Sequence, residues 1–232
     1  VLTVDLAVVG ARYRDARNGV TVPIPASKKL RRAWDIVSHP GWVWDVAVRG
    51  KPLTFGNLES AVPGARNPAQ FKDWVDSQFD ASVTWDDLEW IRQQWPGKLV
   101  LKGILDPEDA KEAARAGADA IVVSNHGGRQ LDDVQSTVSA LPRVRDAAGD
   151  GLEVLVDGGI YSGLDVVKML SLGATGCLIG RAWAYAVAGG GEEGVVHALQ
   201  TIREEMNVAM ALTGCTRLDQ LGPTVLEAGY DR

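Results

Sequence analysis

The sequence predicts an α/β fold built on a parallel sheet, and three observations carry that expectation. From residue 98 onward, short apolar runs alternate with helix-forming stretches, the pattern of consecutive βαβ units. Each apolar run gives way to polar or glycine residues: Val4 to Asp5, Leu101 to Lys102, Val123 to Ser124-Asn125-His126, Val156 to Asp157-Gly158-Gly159, Ile179 to Gly180-Arg181. Twenty-six glycines beside only 6% aromatic residues suit the many tight strand–helix turns of such a fold.

The elements follow in order. Val1-Leu2-Thr3-Val4 starts the chain within an apolar run, without an initiator Met, and reads as the interior of a strand. Residues 11–60 lack the alternating rhythm and read as an excursion loop. Residues 67–95 read as the helical return to the sheet, with Thr84 and Asp87 spaced as a capping box ahead of Leu88, Ile91 and Trp95. Lys98-Leu99-Val100-Leu101 is too short for a helix and fits a buried strand. Asp106-Pro107-Glu108-Asp109 supplies an N-cap, a proline at the first helical position and first-turn acids, for a helix through Ala110, Ala113 and Ala114 that stops near Gly117. A strand at 120–123, a helix near 136–148, a strand at 153–156, a helix at 164–172 ended by Gly173, and a strand at 177–179 complete the rhythm. The closing helix, near 191–213, sets Val195, Leu199, Ile202, Met206 and Ala209 on one face.

Composition excludes several classes. At 46% apolar and 23% charged, the chain is neither disordered nor fibrous. Its net charge of −6 argues against a nucleic-acid partner. Two cysteines, Cys177 and Cys215, make no disulfide framework, and Cys177 reads as a small buried hydrophobe. No apolar stretch reaches the roughly 20 residues of a membrane span, and the expected location is the cytoplasm. The charge is uneven, however. Residues 11–51 hold nine Lys/Arg against three Asp, and seven of the eight tryptophans fall between positions 34 and 95. Lys28-Lys29-Leu30-Arg31-Arg32 with Trp34, Trp42 and Trp44 reads either as a membrane-surface element, cations on headgroups and indoles at the interface, or as a solvated loop over packed tryptophans.

The stretch Ser124-Asn125-His126-Gly127-Gly128-Arg129-Gln130-Leu131-Asp132 carries the chemistry. It puts an imidazole just past a buried strand, where histidine serves as a general base near neutral pH. Asp5, past another strand, is placed to hold the far ring nitrogen. Arg129 and Arg12 suit a carboxylate held by paired hydrogen bonds. Lys102 offers a compact cation, and Gly158-Gly159 with Gly180-Arg181 follow the last two strands, where barrels bind phosphate. No metal site is expected.

The string SNHGGRQLD resembles the active-site signature of the FMN-dependent 2-hydroxy-acid dehydrogenases and oxidases. LTVD, GARYRDARNG, LVLKGIL, VDGGIYSGLDVVK and LGATGCLIGRAWAY stand in that family's order, so the resemblance runs along essentially the whole chain. WDDLEWIRQQW and KGILDPEDA lean toward its membrane-associated bacterial L-lactate and mandelate dehydrogenases. The resemblance implies a TIM (β/α)8 barrel represented by strands four to eight, with the first three strands lacking, and residues 1–232 as one partial barrel. It implies FMN as cofactor and oxidation of an L-2-hydroxy acid, lactate first and mandelate second, with electrons passed to quinone or oxygen. His126 would be the base, supported by Asp5; Arg12 and Arg129 would hold the substrate carboxylate. Lys102 would stabilise negative charge on the reduced flavin, and Thr3 and Ser124 would contact its ring. Asp157, Gly158, Gly159, Gly180 and Arg181 would surround the ribityl phosphate. Tyr161 stands where the family usually has an arginine, so Arg181 carries more of the phosphate charge. A homotetramer, and docking of residues 28–44 on the anionic inner face of the cell membrane, are further implications. The alternative is a half-barrel that binds flavin or phosphate without catalysis unless an N-terminal piece complements it.

Overall fold

The computed structural model describes residues 1–10, 12–18, 26–50, 56–58, 60–62, 68–227 and 229. The chain divides into two compact units, Val1–Ala7 with Ser82–Arg232, and Val8–Ala81.

The larger unit holds one five-stranded parallel sheet, β1 Leu2–Thr3, β2 Val100–Ile104, β3 Ala120–Val123, β4 Glu153–Val156 and β5 Gly176–Cys177. Every strand pairs with its neighbour in sequence, in the order β1-β2-β3-β4-β5. That is the progression of a barrel wall; a doubly wound sheet reverses direction at a switch point. Between the strands lie α5 (Asp86–Gln94) ahead of β2, then α6 (Pro107–Arg115), α7 (Thr137–Ala148) and α8 (Gly163–Ser171), with α9 (Arg181–Leu212) after β5.

The core lies between strands and helices. Leu101, Ile121, Val123, Val154 and Val156 are at most 1% exposed and pack with Ala110 and Ala113 of α6 and Leu141 and Val144 of α7. All four residues of β3 are buried, as expected of a central parallel strand covered on both faces.

The cap that the sequence predicts for α6 forms. The Asp106 carboxylate accepts from Glu108 N–H at 2.8 Å, ahead of Pro107. At α8, Ser162 and Asp165 form a reciprocal capping box. At α5 only half of the expected box forms: Thr84 N–H donates to Asp87 at 2.7 Å, while the threonine hydroxyl donates to the same carboxylate instead of capping the helix.

Two boundaries differ from expectation. Lys98 and Leu99 precede β2, which runs on through Lys102 to Ile104, so Lys102 lies within the strand and not past its end. The strand expected at 177–179 is Gly176–Cys177, and the last helix begins at Arg181, ten residues early, with its break at Gly191. The three glycines at 189–191 mark that break and conceal the helical turns before it.

The smaller unit contains α1 (Tyr13–Asn18), α2 (Ala26–Val37), α3 (Pro40–Trp42) running into a π-helical turn at Val43–Val48, and α4 (Pro68–Ser77), whose Phe71 is buried. Much of the expected excursion 11–60 is thus helical, because its polar residues leave amphipathic stripes that a search for strand–helix rhythm overlooks. Positions 11, 19–25, 51–55 and 59 of that segment lie outside the described residues. No residue of α2 is buried: Leu30, Trp34 and Val37 form an exposed apolar ridge on one side, and Lys28, Arg31, Arg32 and Asp35 face the other. Among the described residues, no helix is long and apolar enough to cross a membrane.

Candidate active site

The site lies at the carboxyl ends of β1 to β4. Thr3 on β1 pairs in register with Lys102 on β2, and Val4 N–H donates to the Lys102 carbonyl at 2.8 Å. This carries Asp5 to the strand end. From β3 the chain enters Ser124-Asn125 and then a tight turn in which His126, Gly127 and Gly128 all have positive φ. Histidine at φ +54 is sterically costly, and the turn is held by its contacts.

Those contacts assemble a polar cluster. His126 Nδ1 is 3.1 Å from Asp5 Oδ1. An ionised carboxylate only accepts, so Nδ1 carries the proton and the neutral ring presents a bare Nε2. Lys102 Nζ donates to Ser124 Oγ at 2.8 Å and pairs with Asp157 at 3.1 Å; its distance to Asp5 Oδ2, 3.9 Å, is ion-pair reach beyond a hydrogen bond. Ser124 is fully buried, and its Oγ also accepts the His126 N–H at 3.1 Å. One hydroxyl thus joins the lysine to the histidine turn. The side chains of Lys102, Asp5 and Asp157 are 18%, 14% and 16% exposed, so their charges interact in a partly desolvated setting. One cation faces two carboxylates.

Arg181, first residue of α9, donates from Nη2 to the Gly127 carbonyl at 2.7 Å. A cavity of about 600 Å³ is lined by Lys102, His126, Arg129 and Asp157 together with Gly158, Gly159, Gly180 and Arg181. Such a volume falls in the range of small-molecule sites, about 300–1,000 Å³. Sequence reasoning missed part of its wall, the aromatic side chains of Trp183 and Tyr185, with Tyr161 half-exposed beside them. A second cavity, of about 370 Å³, shares Gly127, Gly158, Gly159 and Arg181 and adds Ser136, Thr137 and Lys168.

The cavity suits a flavin mononucleotide. Its lining combines the cations Lys102, Arg129 and Arg181 with glycine backbone and Asp157, whose buried Oδ1 lacks a hydrogen-bond partner, and Asp5 Oδ2 is a second such orphan within reach of Lys102. Hydroxyl and ring N–H donors of such a molecule would meet acceptors that otherwise go unpaired. Two further orphans, Asn125 Oδ1 and Gln130 Oε1, were not singled out by the sequence.

The structure therefore brings together Thr3, Asp5, Lys102, Ser124, His126, Arg129, Asp157, Gly158, Gly159, Gly180 and Arg181 in one unit. Arg12 is exposed just ahead of α1 and belongs to the Val8–Ala81 unit. Cys177 is half-buried, and burial pushes its thiol up to about 12, so it stays protonated and is no nucleophile.

Known proteins resemble this chain in sequence and in fold. The profile of the FMN-dependent dehydrogenase family matches residues 1–228. The L-lactate dehydrogenase of Caulobacter sp. (strain K31) is 55% identical over 226 residues, 97% of this chain and 59% of its own length. That of Yersinia pestis (strain Pestoides F) is 50% identical over 218 residues, 94% of this chain and 56% of its own. Among solved structures, the monotopic membrane protein (S)-mandelate dehydrogenase aligns with a TM-score of 0.87 at 37% identity, covering 97% of this chain and 59% of that one. A mandelate oxidase aligns with a TM-score of 0.70 at 35% identity, covering 95% and 53%. The chain spans somewhat under three-fifths of the length of these curated relatives.

Proposed function

The chain belongs to the FMN-dependent dehydrogenase family, a family of TIM-barrel flavoenzymes, and from that premise we propose that it carries the cofactor- and substrate-binding part of an enzyme oxidising an L-2-hydroxy acid to the 2-oxo acid. Lactate is the first substrate in this reading and mandelate the second. The observation that carries it is the His126–Asp5 pair, 3.1 Å apart, opening beside Lys102 onto the 600 Å³ cavity.

His126 Nε2 takes the proton from the substrate as its α-carbon is oxidised, and Asp5 stabilises the resulting imidazolium through Nδ1. Arg129 and Arg12 hold the carboxylate, which fixes the α-carbon relative to the base. Bound FMN supplies the two-electron acceptor. Lys102 compensates negative charge at its ring, Thr3 and Ser124 contact that ring, and Asp157, Gly158, Gly159, Gly180 and Arg181 surround the ribityl phosphate. With Tyr161 uncharged, Arg181 is the phosphate cation of this strand end. Electrons leave to a quinone at the membrane in preference to oxygen.

The same reading places the protein peripherally on the inner face of the cell membrane, docked through residues 28–44 and assembled as a homotetramer. The exposed Leu30, Trp34 and Val37 beside Lys28, Arg31 and Arg32 support the docking, as does the monotopic nature of the similar (S)-mandelate dehydrogenase. Exposed Leu199, Val208 and Leu212 on α9 support self-association.

The test is spectroscopic. The purified protein supplied with FMN should show flavin absorption bands that bleach when L-lactate or L-mandelate is added anaerobically. Absence of bound flavin, or bands that persist with both acids, would overturn the reading.

A further inference from the structure

We propose that Gly103 is a positioning residue for the His126–Asp5 pair, the residue whose missing side chain lets the carboxylate reach the imidazole. Its functional sense rests on the reading above; its structural content does not. Gly103 interrupts β2 between Lys102 and Ile104, where the register with β3 slips: Lys102 faces Val122, and Ile104 faces Val123. The bulge leaves Gly103 out of the ladder at φ +112, a conformation that L side chains rarely adopt. A Cβ there would lie 2.7 Å from Asp5 Cβ, 2.8 Å from Asp5 Cγ and 2.9 Å from Asp5 N. All three distances are well inside van der Waals contact, so a side chain at 103 and the present position of Asp5 exclude one another.

The backbone of β1 has little room to retreat. Leu2 and Thr3 are in register with Leu101 and Lys102, and Val4 N–H is bonded to the Lys102 carbonyl. The softer response is rotation of the Asp5 side chain, which moves Oδ1 away from His126 Nδ1. The imidazole then loses the acceptor that keeps its proton on Nδ1, and the bare Nε2 needed of a base is no longer specified. An isolated glycine within the apolar run LVLKGI is the sequence signal for such a close approach.

The experiment reads the histidine tautomer directly, in the full chain and without flavin. The chain has three histidines, so long-range ¹⁵N–¹H correlation of the uniformly labelled protein resolves them, and His126→Gln assigns the signal. The expected result is an Nδ1–H, bare-Nε2 pattern in the unsubstituted chain that Gly103→Ala converts to the mixed pattern of Asp5→Ala. Adding Gly103→Ala to Asp5→Ala should change the His126 signal no further. Gly117→Ala is the control: its φ is +79, yet an added Cβ meets only Arg92 Cδ at 3.9 Å, and His126 should not respond. If Gly103→Ala does not fold, Asp5→Gly in the same chain removes two of the three clashes and should restore a cooperative thermal transition. Retention of the Nδ1–H pattern in Gly103→Ala, or a double variant as unfolded as the single one, overturns the proposal. Loss of the pattern in a chain that never reduces flavin would uphold the positioning role while refuting the reaction.

Discussion

Arg181 and Gly127 are joined by a 2.7 Å hydrogen bond from guanidinium to carbonyl, tying the start of α9 to the turn that carries His126. The residue read as the phosphate cation is thereby also a brace for the base. Charge-assisted hydrogen bonds contribute about 1.5–3 kcal/mol each. Arg181→Ala should therefore weaken FMN binding by about 10- to 100-fold in a fluorescence titration. Riboflavin, which has no phosphate, should lose much less, only what the loosened turn costs. Equal losses for the two ligands would assign Arg181 to the turn alone.

His126→Gln removes the base while keeping a side chain of comparable reach to Asp5. Flavin binding should survive, and anaerobic reduction by L-lactate should slow by at least about 100-fold, since a positioned general base contributes about 10²–10⁴. Stopped-flow absorbance at the flavin band measures both. Reduction at an unchanged rate would remove His126 from the mechanism.

How much of this was legible in the sequence depends on the range of each signal. The cap at Asp106, and the buried strands at 120–123 and 153–156, are local and were readable, because propensity and burial there agree. SNHGGRQLD placed His126 at a strand end, and Asp5 was readable as its partner only because both follow apolar runs. Gly103 was not: its meaning lies in the approach of Asp5, nearly a hundred residues away, and nothing at position 103 alone names that neighbour. Nor was the helical character of α2, whose exposed apolar ridge buries nothing in this chain and so gives no core signature.

Gly163 opens α8 directly beneath α9. A Cβ there would lie 2.2 Å from the Ile202 carbonyl oxygen and 2.4 Å from Met206 N, both backbone atoms that cannot rotate aside. The Gly163 N–H also donates to Glu205 at 2.7 Å. Gly163→Ala should destabilise the chain by about 1–3 kcal/mol through overpacking, read as a lower urea midpoint at unchanged slope. Gly151→Ala, with nothing within 4 Å, should stay within about 0.5 kcal/mol of the parent.

Asp119 locks the amino end of the sheet. Its carboxylate accepts from Lys98 at 2.8 Å, Leu99 N–H at 2.8 Å and Arg92 at 3.1 Å. The Lys98 hydrogen bond first, then that of Leu99, holds its carboxyl down at about 2, against an ordinary 3.8. A group depressed on folding stabilises fully above its unfolded value and loses that contribution as pH falls through the folded one. Asp119→Asn should thus lower Tm at pH 7, and the gap to the parent should close between pH 3.8 and about 2. Asp109 acts in the opposite direction. Burial, with Asp106 and Glu112 nearby, raises its carboxyl, so its ionisation opposes folding and Asp109→Asn should raise Tm at neutral pH. A gap for Asp119→Asn that does not vary with pH would mean that the asparagine keeps the same bonds.

The basic face of α2 makes the last prediction. Several cations on other helices are paired, Lys72 with Asp76, Lys111 with Glu108 and Arg115 with Glu112. Among the described residues, Lys28, Lys29, Arg31 and Arg32 have no ion pair, and Leu30, Trp34 and Val37 on the other side of the helix are 84%, 71% and 71% exposed. A helix with unpaired cations on one side and exposed apolar groups on the other fits the surface of an anionic bilayer, where each Lys or Arg near the surface contributes about 1 kcal/mol. Replacing Lys28, Arg31 and Arg32 together by alanine should weaken co-sedimentation with phosphatidylglycerol vesicles by about 100-fold at low salt, with little change toward phosphatidylcholine. Raising the salt should weaken the parent more than the triple variant, which keeps only Lys29 of the four α2 cations for screening to act on. Trp34→Ala should instead reduce binding to both vesicle types, since the indole acts through apolar insertion. Equal partition of parent and triple variant onto phosphatidylglycerol would refute an electrostatic contribution and leave α2 as a surface for another protein.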